Sequence, residues 1–285
     1  MREAMVRRLL MVLAVLLGVC TSGLAMAQEI QLTGPLAGAP AVRKLRLRRQ
    51  GRVEIAPTVG FTLLDEYRRT IFIGGKLDYN VTDWLGIGVW GAAGAVKTST
   101  YLSDQINDVT QTRRAETNPN ADINNTLTKA SIHPTDFRKQ LGSLDWVVAP
   151  QLTLVPFRGK LAIFQKIFVD TDAFIFGGPA FVGVTERQNC STNCETSFGT
   201  KSRTAITGTF GAGLTFYMSQ WASLGVDWRA LPLAWNTGGF DNHGGGPEGR
   251  FPDLKIDEKD REFHMNMQIG ITLGFQLPAR IKNSD

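Results

Sequence analysis

The sequence predicts an all-β fold: an eight-stranded, antiparallel, up-and-down β-barrel that crosses a membrane, with short turns at one end and long loops at the other. Three observations predict it: apolar and polar residues alternate with a period of two, short and long connections alternate, and the strands are long. A strand of about eleven residues, tilted by about 40°, rises roughly 28 Å, which matches an apolar membrane band. Strands of soluble proteins average only about five or six residues.

The amino terminus reads as a secretory signal peptide over residues 1–27. A basic start precedes an apolar run from Leu9 to Val19, and small residues stand at Ala25 and Ala27. A retained membrane anchor and a lipid-modified Cys20 are the alternatives. After residue 30 no run of 18 apolar residues occurs, which excludes a helical membrane protein.

Cleavage after residue 27 leaves two cysteines, Cys190 and Cys194, in a polar segment of an exported chain. Such a pair favours a disulfide that closes a short loop, with two free thiols as the alternative. The three cysteines and three histidines of the whole chain are too few for a multi-ligand zinc, haem or iron–sulfur centre. The sequence therefore predicts no cofactor.

A basic periplasmic segment is predicted at residues 28–52, between the signal peptide and the barrel (53–278), and a short tail follows at 279–285. The formal net charge of +5 falls to +3 without the signal peptide, and the remaining basicity is concentrated in this segment. It could bind a periplasmic or envelope protein, or it could be a solvated linker. Nucleic acid is disfavoured as a partner, because the basic run has no interleaved aromatic residues. The candidate partner-binding residues are Arg43, Lys44, Arg46, Arg48 and Arg49.

Eight strands follow in order. The last is the clearest, because its apolar residues occupy the odd positions from Phe263 to Leu277, with polar residues and glycine between them. A soluble exported β-sandwich is the alternative fold. The predicted strands are 53–63, 70–81, 84–96, 143–156, 169–184, 203–217, 221–235 and 263–277.

One strand fits the alternation less well than the others. In 169–184, Asp170 and Asp172 share a face with Phe174 and Phe176. Either a β-bulge intervenes or both phenylalanines point into the barrel.

The connections differ in length between the two ends of the barrel. At one end the predicted turns are short, at residues 82–83, 157–168 and 218–220. At the other end three loops are long, at residues 97–142, 185–202 and 236–261, and only 64–69 is short. This pattern is typical of bacterial outer-membrane barrels, with short periplasmic turns and long extracellular loops.

Aromatic residues near the strand ends predict two interfacial girdles, since Trp and Tyr favour the boundary between membrane and water. Tyr79, Trp84, Tyr217 and Trp221 are expected at the turn end, and Trp146, Trp235 and Phe263 at the loop end.

Charged residues within the strands nearly all take the polar face, which is therefore expected to be the lumen. An eight-stranded barrel is just wide enough for side chains to fill it, so these charges are expected to form structural ion pairs. A conducting or catalytic lumen is the alternative. The predicted lumen charge network consists of Glu54, Lys76, Asp78, Asp145, Asp170, Asp172, Asp227 and Arg229.

Catalytic chemistry at the barrel rim would need a histidine beside a nucleophile or an activated water. His264, on the polar face of the last strand, is the most suggestive of three histidines, with Asp227 or Arg229 as conceivable neighbours. A hydrogen-bonded lumen histidine is the simpler interpretation. We therefore predict a protein without enzymatic activity and with no catalytic residue.

The final strand contains Gln268, Gly270, Leu273 and Phe275, an order that resembles the signal read by the outer-membrane barrel assembly machinery. Ten residues follow Phe275, which departs from the usual terminal aromatic.

Other segments resemble a family of small outer-membrane barrel proteins of myxobacteria and related Gram-negative bacteria. The matching segments include residues 33–38, the basic run to Arg49, 56–57, 62–63, 65–67, 82–86 and 157–164. The resemblance implies an OmpA-type barrel in the outer membrane, and some relatives belong to envelope complexes linked to gliding motility. It assigns no ligand and no activity to any residue.

The predicted function is accordingly structural: anchoring in the outer membrane and presentation of loops. The expected partners are outer-membrane lipid, the barrel assembly machinery and a periplasmic or envelope protein. A narrow passive channel and a rim enzyme acting on lipid A or peptides are the alternatives.

Overall fold

The computed structural model describes residues 49–115, 132, 133, 135–163, 167–192, 194 and 197–278. The predicted signal peptide (1–27), the basic residues Arg43, Lys44, Arg46 and Arg48, and the tail (279–285) lie outside the described residues.

Eight long antiparallel strands form one closed barrel, each paired with its neighbour along the chain and the last with the first. The fold predicted from the sequence is therefore confirmed. The strands are β1 (Val53–Leu63), β2 (Arg68–Asn80), β3 (Leu85–Ser99), β4 (Ser143–Ile163), β5 (Ile167–Arg187), β6 (Thr200–Tyr217), β7 (Ala222–Trp235) and β10 (Glu262–Leu277).

The long connections also contain regular structure, which the sequence analysis did not predict. Helix α1 (Tyr101–Ala115) and a 3₁₀ helix (Phe137–Lys139) lie between β3 and β4. A two-stranded sheet of β8 (Gly244–Gly245) and β9 (Phe251–Pro252), and a second 3₁₀ helix (Glu258–Asp260), precede β10. In the described part of the chain, no helix has the length and apolar character needed to span a membrane.

The turn between β4 and β5 is much shorter than predicted. The sequence suggested a connection over residues 157–168, but the two strands remain paired as far as Ile163 and Ile167. A shift of register between Leu154 and Phe157 accommodates Pro156, and pairing resumes beyond it. The proline interrupts the ladder locally and does not end the strand.

The two faces of the barrel wall differ as the alternation predicts. In β1, Glu54 is 3% exposed while the next residue, Ile55, is 48% exposed. The outward residues are mostly large and apolar. The inward residues of β1 and β10 are mostly polar, charged or small, whereas those of β2–β7 also include a buried apolar cluster: Phe72, Trp90, Leu144, Val147, Val182, Val184, Leu231 and Leu233. Exposed apolar residues of the wall include Val59, Phe61, Ile73, Leu77, Ile87, Val89, Val148, Leu152, Ile175, Phe181, Ile206, Phe210, Leu214, Val226, Ile269, Ile271, Leu273 and Phe275.

The girdle prediction is wrong for two aromatic residues. Tyr217 and Trp235 are buried, and each donates a hydrogen bond inside the barrel, to Asp172 Oδ2 at 2.8 Å and to Asn266 Oδ1 at 3.3 Å. A Tyr or Trp at the end of a strand can lie on either the lumen face or the lipid face of the wall, because each combines an apolar ring with one hydrogen-bond donor. The other five predicted girdle residues, Tyr79, Trp84, Trp146, Trp221 and Phe263, are exposed.

Phe174 and Phe176 point into the barrel, which resolves the ambiguous parity of β5. Both are buried, and two glycines of β6 provide the space for their rings. A Cβ at Gly211 would stand 2.4 Å from Phe176 Cζ, and one at Gly213 would stand 2.5 Å from Phe174 Cζ.

Replacing Gly211 with alanine is expected to destabilise the barrel by about 1–3 kcal/mol, because the added methyl group overpacks the lumen. The new Cβ would also stand 2.1 Å from the backbone oxygen of Trp228, which cannot move independently of its strand. Denaturant unfolding in lipid vesicles measures the change. Gly159→Ala is the matched control, since a Cβ there meets nothing within 4 Å. Equal effects of the two substitutions would contradict the packing argument.

Candidate functional site: lumen network and loop crown

Ion pairs fill the lumen near the turn end. Lys76 lies between two acidic residues, with its Nζ 3.3 Å from Glu54 Oε1 and 3.0 Å from Asp78 Oδ2. Glu54 and Asp78 are partners in the β1–β2 register, and both are buried. We use the name lumen network for Arg49, Glu54, Lys76, Asp78, Arg158, Asp172 and Tyr217.

Arg49 enters this network from the chain segment that precedes β1. Its guanidinium lies 3.3 Å from Asp172 Oδ2 and 3.7 Å from Glu54 Oε2, and the residue is 3% exposed. Its backbone N–H donates to Asp83 Oδ1 at 2.8 Å. The prediction that Arg49 belongs to a partner-binding basic patch is therefore corrected, because its charge is used inside the barrel.

The side chain of Asp172 on β5 connects to residues of β4 and β6. Tyr217 donates its hydroxyl to Asp172 Oδ2, and the Arg158 Nε donates to Oδ1 at 3.4 Å. Together with Arg49, these groups surround a carboxylate that is almost completely buried. Asp170 lies two residues closer to the β4–β5 turn, opposite Lys160 and Tyr217 in the register.

Arg229 occupies the middle of the lumen, above the lumen network. Its guanidinium lies between the rings of Trp90 and Phe176, 4.1 Å from each centroid, and donates to Gln151 Oε1 at 3.0 Å and Thr209 Oγ1 at 3.2 Å. Stacking on two rings stabilises a desolvated cation.

A very small cavity lies in the middle of the lumen. Arg229 and Asp227 line this cavity, whose volume of about 10 Å³ is room for about one water molecule. The Asp227 carboxylate packs over Gly270 of the neighbouring strand. In the described part of the barrel, the lumen is a packed interior at this level.

Asp145 belongs to a separate polar cluster at the loop end. Its carboxylate contacts Lys97, Ser143 and Thr185. Thr185 has the outward parity of the exposed residue Phe181, and a β-bulge at Asp145 turns the carboxylate toward that face. The sequence placed Asp145 in the lumen because a bulge shifts parity without leaving a clear mark in the sequence.

The long loops contact one another and form a single cap, the loop crown, defined as the described parts of residues 100–142, 186–203 and 236–261. At its centre the Glu186 carboxylate accepts hydrogen bonds from Arg203 Nε (2.6 Å), Arg261 Nε (2.8 Å) and the backbone N–H of Asn236 (3.2 Å). One buried carboxylate thus connects two segments of the crown, 186–203 and 236–261.

Arg187 makes a second set of cross-links. It donates to the backbone oxygens of Cys194 (2.6 Å), Ser197 (3.1 Å) and Gly239 (2.9 Å), and it stacks on Phe198. Nearby, the rings of Tyr67, Phe137 and Phe240 pack at centroid distances between 5.5 and 5.9 Å.

Cys190 and Cys194 form the predicted disulfide. Cys190 also exchanges two backbone hydrogen bonds with Ile256, at 2.9 and 3.0 Å. The small disulfide loop is thereby attached to the loop before β10.

Arg187→Met is expected to loosen the crown without unfolding the barrel, because three loop carbonyls lose a buried donor. Cleavage by an added protease between residues 188 and 199 should become at least about tenfold faster. Limited proteolysis of the membrane-inserted protein measures the rate. Lys201→Met, an exposed cation near the same strand end, is the control. Unchanged cleavage in Arg187→Met would contradict a cross-linking role.

His264 is far from Asp227 along the barrel. His264 pairs with Leu233 in the register, whereas Asp227 pairs with Gly270, six residues further along β10 and thus about 20 Å away. His133 Nδ1 accepts hydrogen bonds from two loop amides. Within the described residues, no group of three or more metal-ligating side chains is arranged to hold a metal ion.

Comparison with known proteins finds similarity in the fold alone. No protein-family model matches the chain, and no curated protein matches it in sequence. The N-terminal β-barrel domain of OprF from Pseudomonas aeruginosa shares 11% identity over 80% of this chain and 98% of that chain, with a TM-score of 0.40. OprG from Pseudomonas aeruginosa shares 8% identity (80% and 96% covered, TM-score 0.38). Ail of Yersinia pestis shares 10% identity (80% and 99% covered, TM-score 0.32).

The eight-stranded, OmpA-type architecture that the sequence resemblance implies is the architecture observed. In the last strand, Gln268 and Gly270 face inward, while Leu273 and Phe275 face outward. Phe275 stacks on Trp221 with ring centroids 6.0 Å apart. Recognition of these residues by the assembly machinery stays a prediction.

Sequence reasoning missed the role of Arg52, which closes the seam of the barrel. Its Nη2 donates to the backbone oxygens of Gln220 (2.8 Å), Gln276 (3.3 Å) and Pro278 (3.0 Å). Arg52 has the same parity as Glu54, and this signal could have predicted an inward side chain.

Proposed function

We propose that this chain is a non-enzymatic outer-membrane β-barrel that anchors in the membrane and presents the loop crown at the surface of a Gram-negative cell. The observation that supports this proposal best is the apolar outer surface of the barrel. Large apolar residues of all eight strands are exposed there, while buried ion pairs lie inside beside an apolar cluster that includes Phe72, Trp90 and Val182.

The exposed apolar wall supports membrane insertion over a soluble sandwich. A soluble protein rarely exposes an apolar surface larger than a few hundred Å², whereas here the outward residues of all eight strands form such a surface. A closed barrel also leaves no strand of the wall with an unpaired edge, as the hydrocarbon core requires. Export through the predicted signal peptide and insertion by the assembly machinery complete this proposal.

The packed lumen supports an anchoring role over a passive channel. Arg229, Phe174 and Phe176 fill the middle of the barrel, and a cavity beside them holds about one water molecule. The cross-linked crown supports presentation of a fixed surface, since binding commonly resides in loops on a rigid scaffold.

A periplasmic or envelope partner for the basic segment is a further part of the proposal. The cations available for it are Arg43, Lys44, Arg46 and Arg48, since Arg49 is bound in the lumen. Membership of a motility-type envelope complex rests on the family resemblance alone.

Cell fractionation tests the proposal. The protein is expected in the outer membrane, with different gel migration before and after boiling, and protease added to intact cells should reach only the crown. A soluble periplasmic protein without a heat shift would overturn it.

Two further measurements test the alternatives. Conductance steps in planar bilayers would favour a channel function over the anchoring function. A change in lipid A that depends on the protein and disappears in His264→Ala would favour a rim enzyme.

A further inference from the structure

A second cavity, here called the rim pocket, opens at the loop end of the barrel. It is lined by the β1–β2 turn (Leu63–Arg68), Gly142, Trp235 and the start of β10 (His264–Asn266), and its volume is about 70 Å³. The β1–β2 turn is the shortest connection at this end. The long loop after β3 also contacts this turn, since Thr100 and Ser103 donate hydrogen bonds to the backbone oxygens of Glu66 and Tyr67.

The β1–β2 turn contributes an acidic residue to the lining of this pocket. Leu64 adopts φ 59°, a left-handed conformation that is unfavourable for a leucine, and its side chain is 83% exposed. Asp65 follows directly and lines the pocket. Strained residues beside a cavity are a recurring property of binding sites.

Two acidic residues, Asp65 and Glu66, line the pocket, and Asp65 is partly buried. Burial raises the pKa of Asp65 to about 6, although a hydrogen bond with Thr62 and the charge of Arg69 act in the opposite direction. Burial, Glu66 and Glu262 all raise the pKa of the Tyr67 phenol. Both shifts indicate that a positive charge would be favourable at this position.

The cation among the lining residues is directed elsewhere. Arg68 donates to the backbone oxygens of Leu141 (3.1 Å) and Arg138 (2.7 Å). Its hydrogen-bonding capacity is thus used by the crown. Asp65 and Glu66 remain as the acidic groups at the pocket.

The other walls of the pocket fit the carbon atoms of an organic cation. Trp235 and Tyr67 are the aromatic residues of its lining, and aromatic rings attract ammonium groups. Leu63 and Met265 contribute apolar surface. Since one water molecule needs about 10–15 Å³ of such space, the pocket can hold roughly five heavy atoms.

We propose that the rim pocket binds a small organic ammonium group, with its charge at the Asp65 and Glu66 carboxylates and its carbon atoms against Trp235 and Tyr67. This site goes beyond the proposed anchoring function. It does not depend on that function, because every lining residue belongs to the loop end of the folded chain.

The test is titration of the full chain, folded in detergent micelles, with butylammonium and with 1-butanol as its neutral counterpart. Calorimetry and the NMR shift of the Trp235 indole N–H report binding. Saturable binding of butylammonium is expected, with 1-butanol at least about tenfold weaker, as a lost charged hydrogen bond implies. Equal binding of both compounds, or binding of neither, would overturn the proposal.

Two variants locate the site. Asp65→Asn is expected to weaken butylammonium binding at least about tenfold. Glu248→Gln removes the same charge from an exposed position paired with Arg250 and should change nothing. The gel heat shift confirms that both variants are folded. Equal affinities of the two folded variants would place the ligand elsewhere.

A lysine model compound tells apart two sources of the ammonium group, a lysine side chain of another protein and a free small amine. Binding of Nα-acetyl-lysine methylamide, abolished by Nε-acetylation, would indicate a lysine side chain of another protein. Binding of butylammonium without binding of this compound would indicate a free small amine. Either result supports the proposal and identifies the form of the ligand.

The pH dependence gives an independent readout. Protonation removes the charge of Asp65, so affinity should fall as the pH drops through about 6. The other charged and titratable groups at the pocket are Glu66, Arg68 and His264, with Arg69 and Glu262 nearby. Binding of the cation should in turn lower the pKa of Asp65. Constant affinity between about pH 8 and pH 5 would contradict a role for this carboxylate.

Discussion

Asp172→Asn is expected to lower the free energy of unfolding of the barrel by about 3–5 kcal/mol, because it removes one partner from a buried ion-pair network. Arg49 and Arg158 each lose their charged interaction with the Asp172 carboxylate, and the Tyr217 hydroxyl loses a charged acceptor. Arg49 has been desolvated by the lumen, and the neutral amide returns little of that free energy. The Arg158 side chain keeps 32% of its exposure, so its share of the loss is smaller.

Reversible urea unfolding in lipid vesicles, followed by tryptophan fluorescence, measures this change. Asp104→Asn, which alters an exposed carboxylate in α1, is the control and should stay within about 0.5 kcal/mol. A double-mutant cycle with Arg49→Met should show that the two losses are not additive, because they remove the same interaction. Additive losses would mean that Arg49 and Asp172 do not stabilise each other.

Phe176→Ala is expected to destabilise the barrel by about 3–5 kcal/mol, through loss of buried apolar surface and the cavity left behind. Two features prevent the lumen from closing over that cavity. Gly211 has no side chain to move into the space, and Arg229 would keep only the Trp90 face of its aromatic sandwich.

The same unfolding measurement tests this prediction, with Phe251→Ala as the control because Phe251 is 61% exposed in the crown. The Phe176→Ala protein should still show the gel heat shift, since the strand ladders are unchanged. A loss below about 1 kcal/mol would mean that the ring does not pack as described.

The sequence predicts the fold well because alternation reports which face of a strand is buried, and a closed barrel repeats that signal eight times. Strand bounds were less accurate where a local irregularity mimics a turn, as at Pro156. The direction in which Phe174 and Phe176 point could not be decided from parity alone. The deciding feature is a pair of glycines on the next strand, Gly211 and Gly213, which leave space for the two rings.

The candidate sites were only partly predictable, for a related reason. Glu54, Lys76 and Asp78 lie on two adjacent strands, and their inward parity was sufficient to group them. Arg49 lies before the first strand and has no parity, so its insertion into the lumen depends on tertiary contacts. The rim pocket combines residues from four separate segments, and no local pattern brings those segments together.

The contact between Arg52 and the end of β10 has a consequence for the order of folding. Arg52 precedes the first strand, and two of its three carbonyl acceptors belong to Gln276 and Pro278, at the other end of the barrel sequence. These bonds can form only when the last strand has been synthesised and paired with the first. The start of the barrel is thus completed last, and a chain truncated before Gln276 would keep a buried guanidinium without these two acceptors. The hydrogen bonds of Arg52 therefore stabilise the complete barrel relative to a barrel that lacks its final residues.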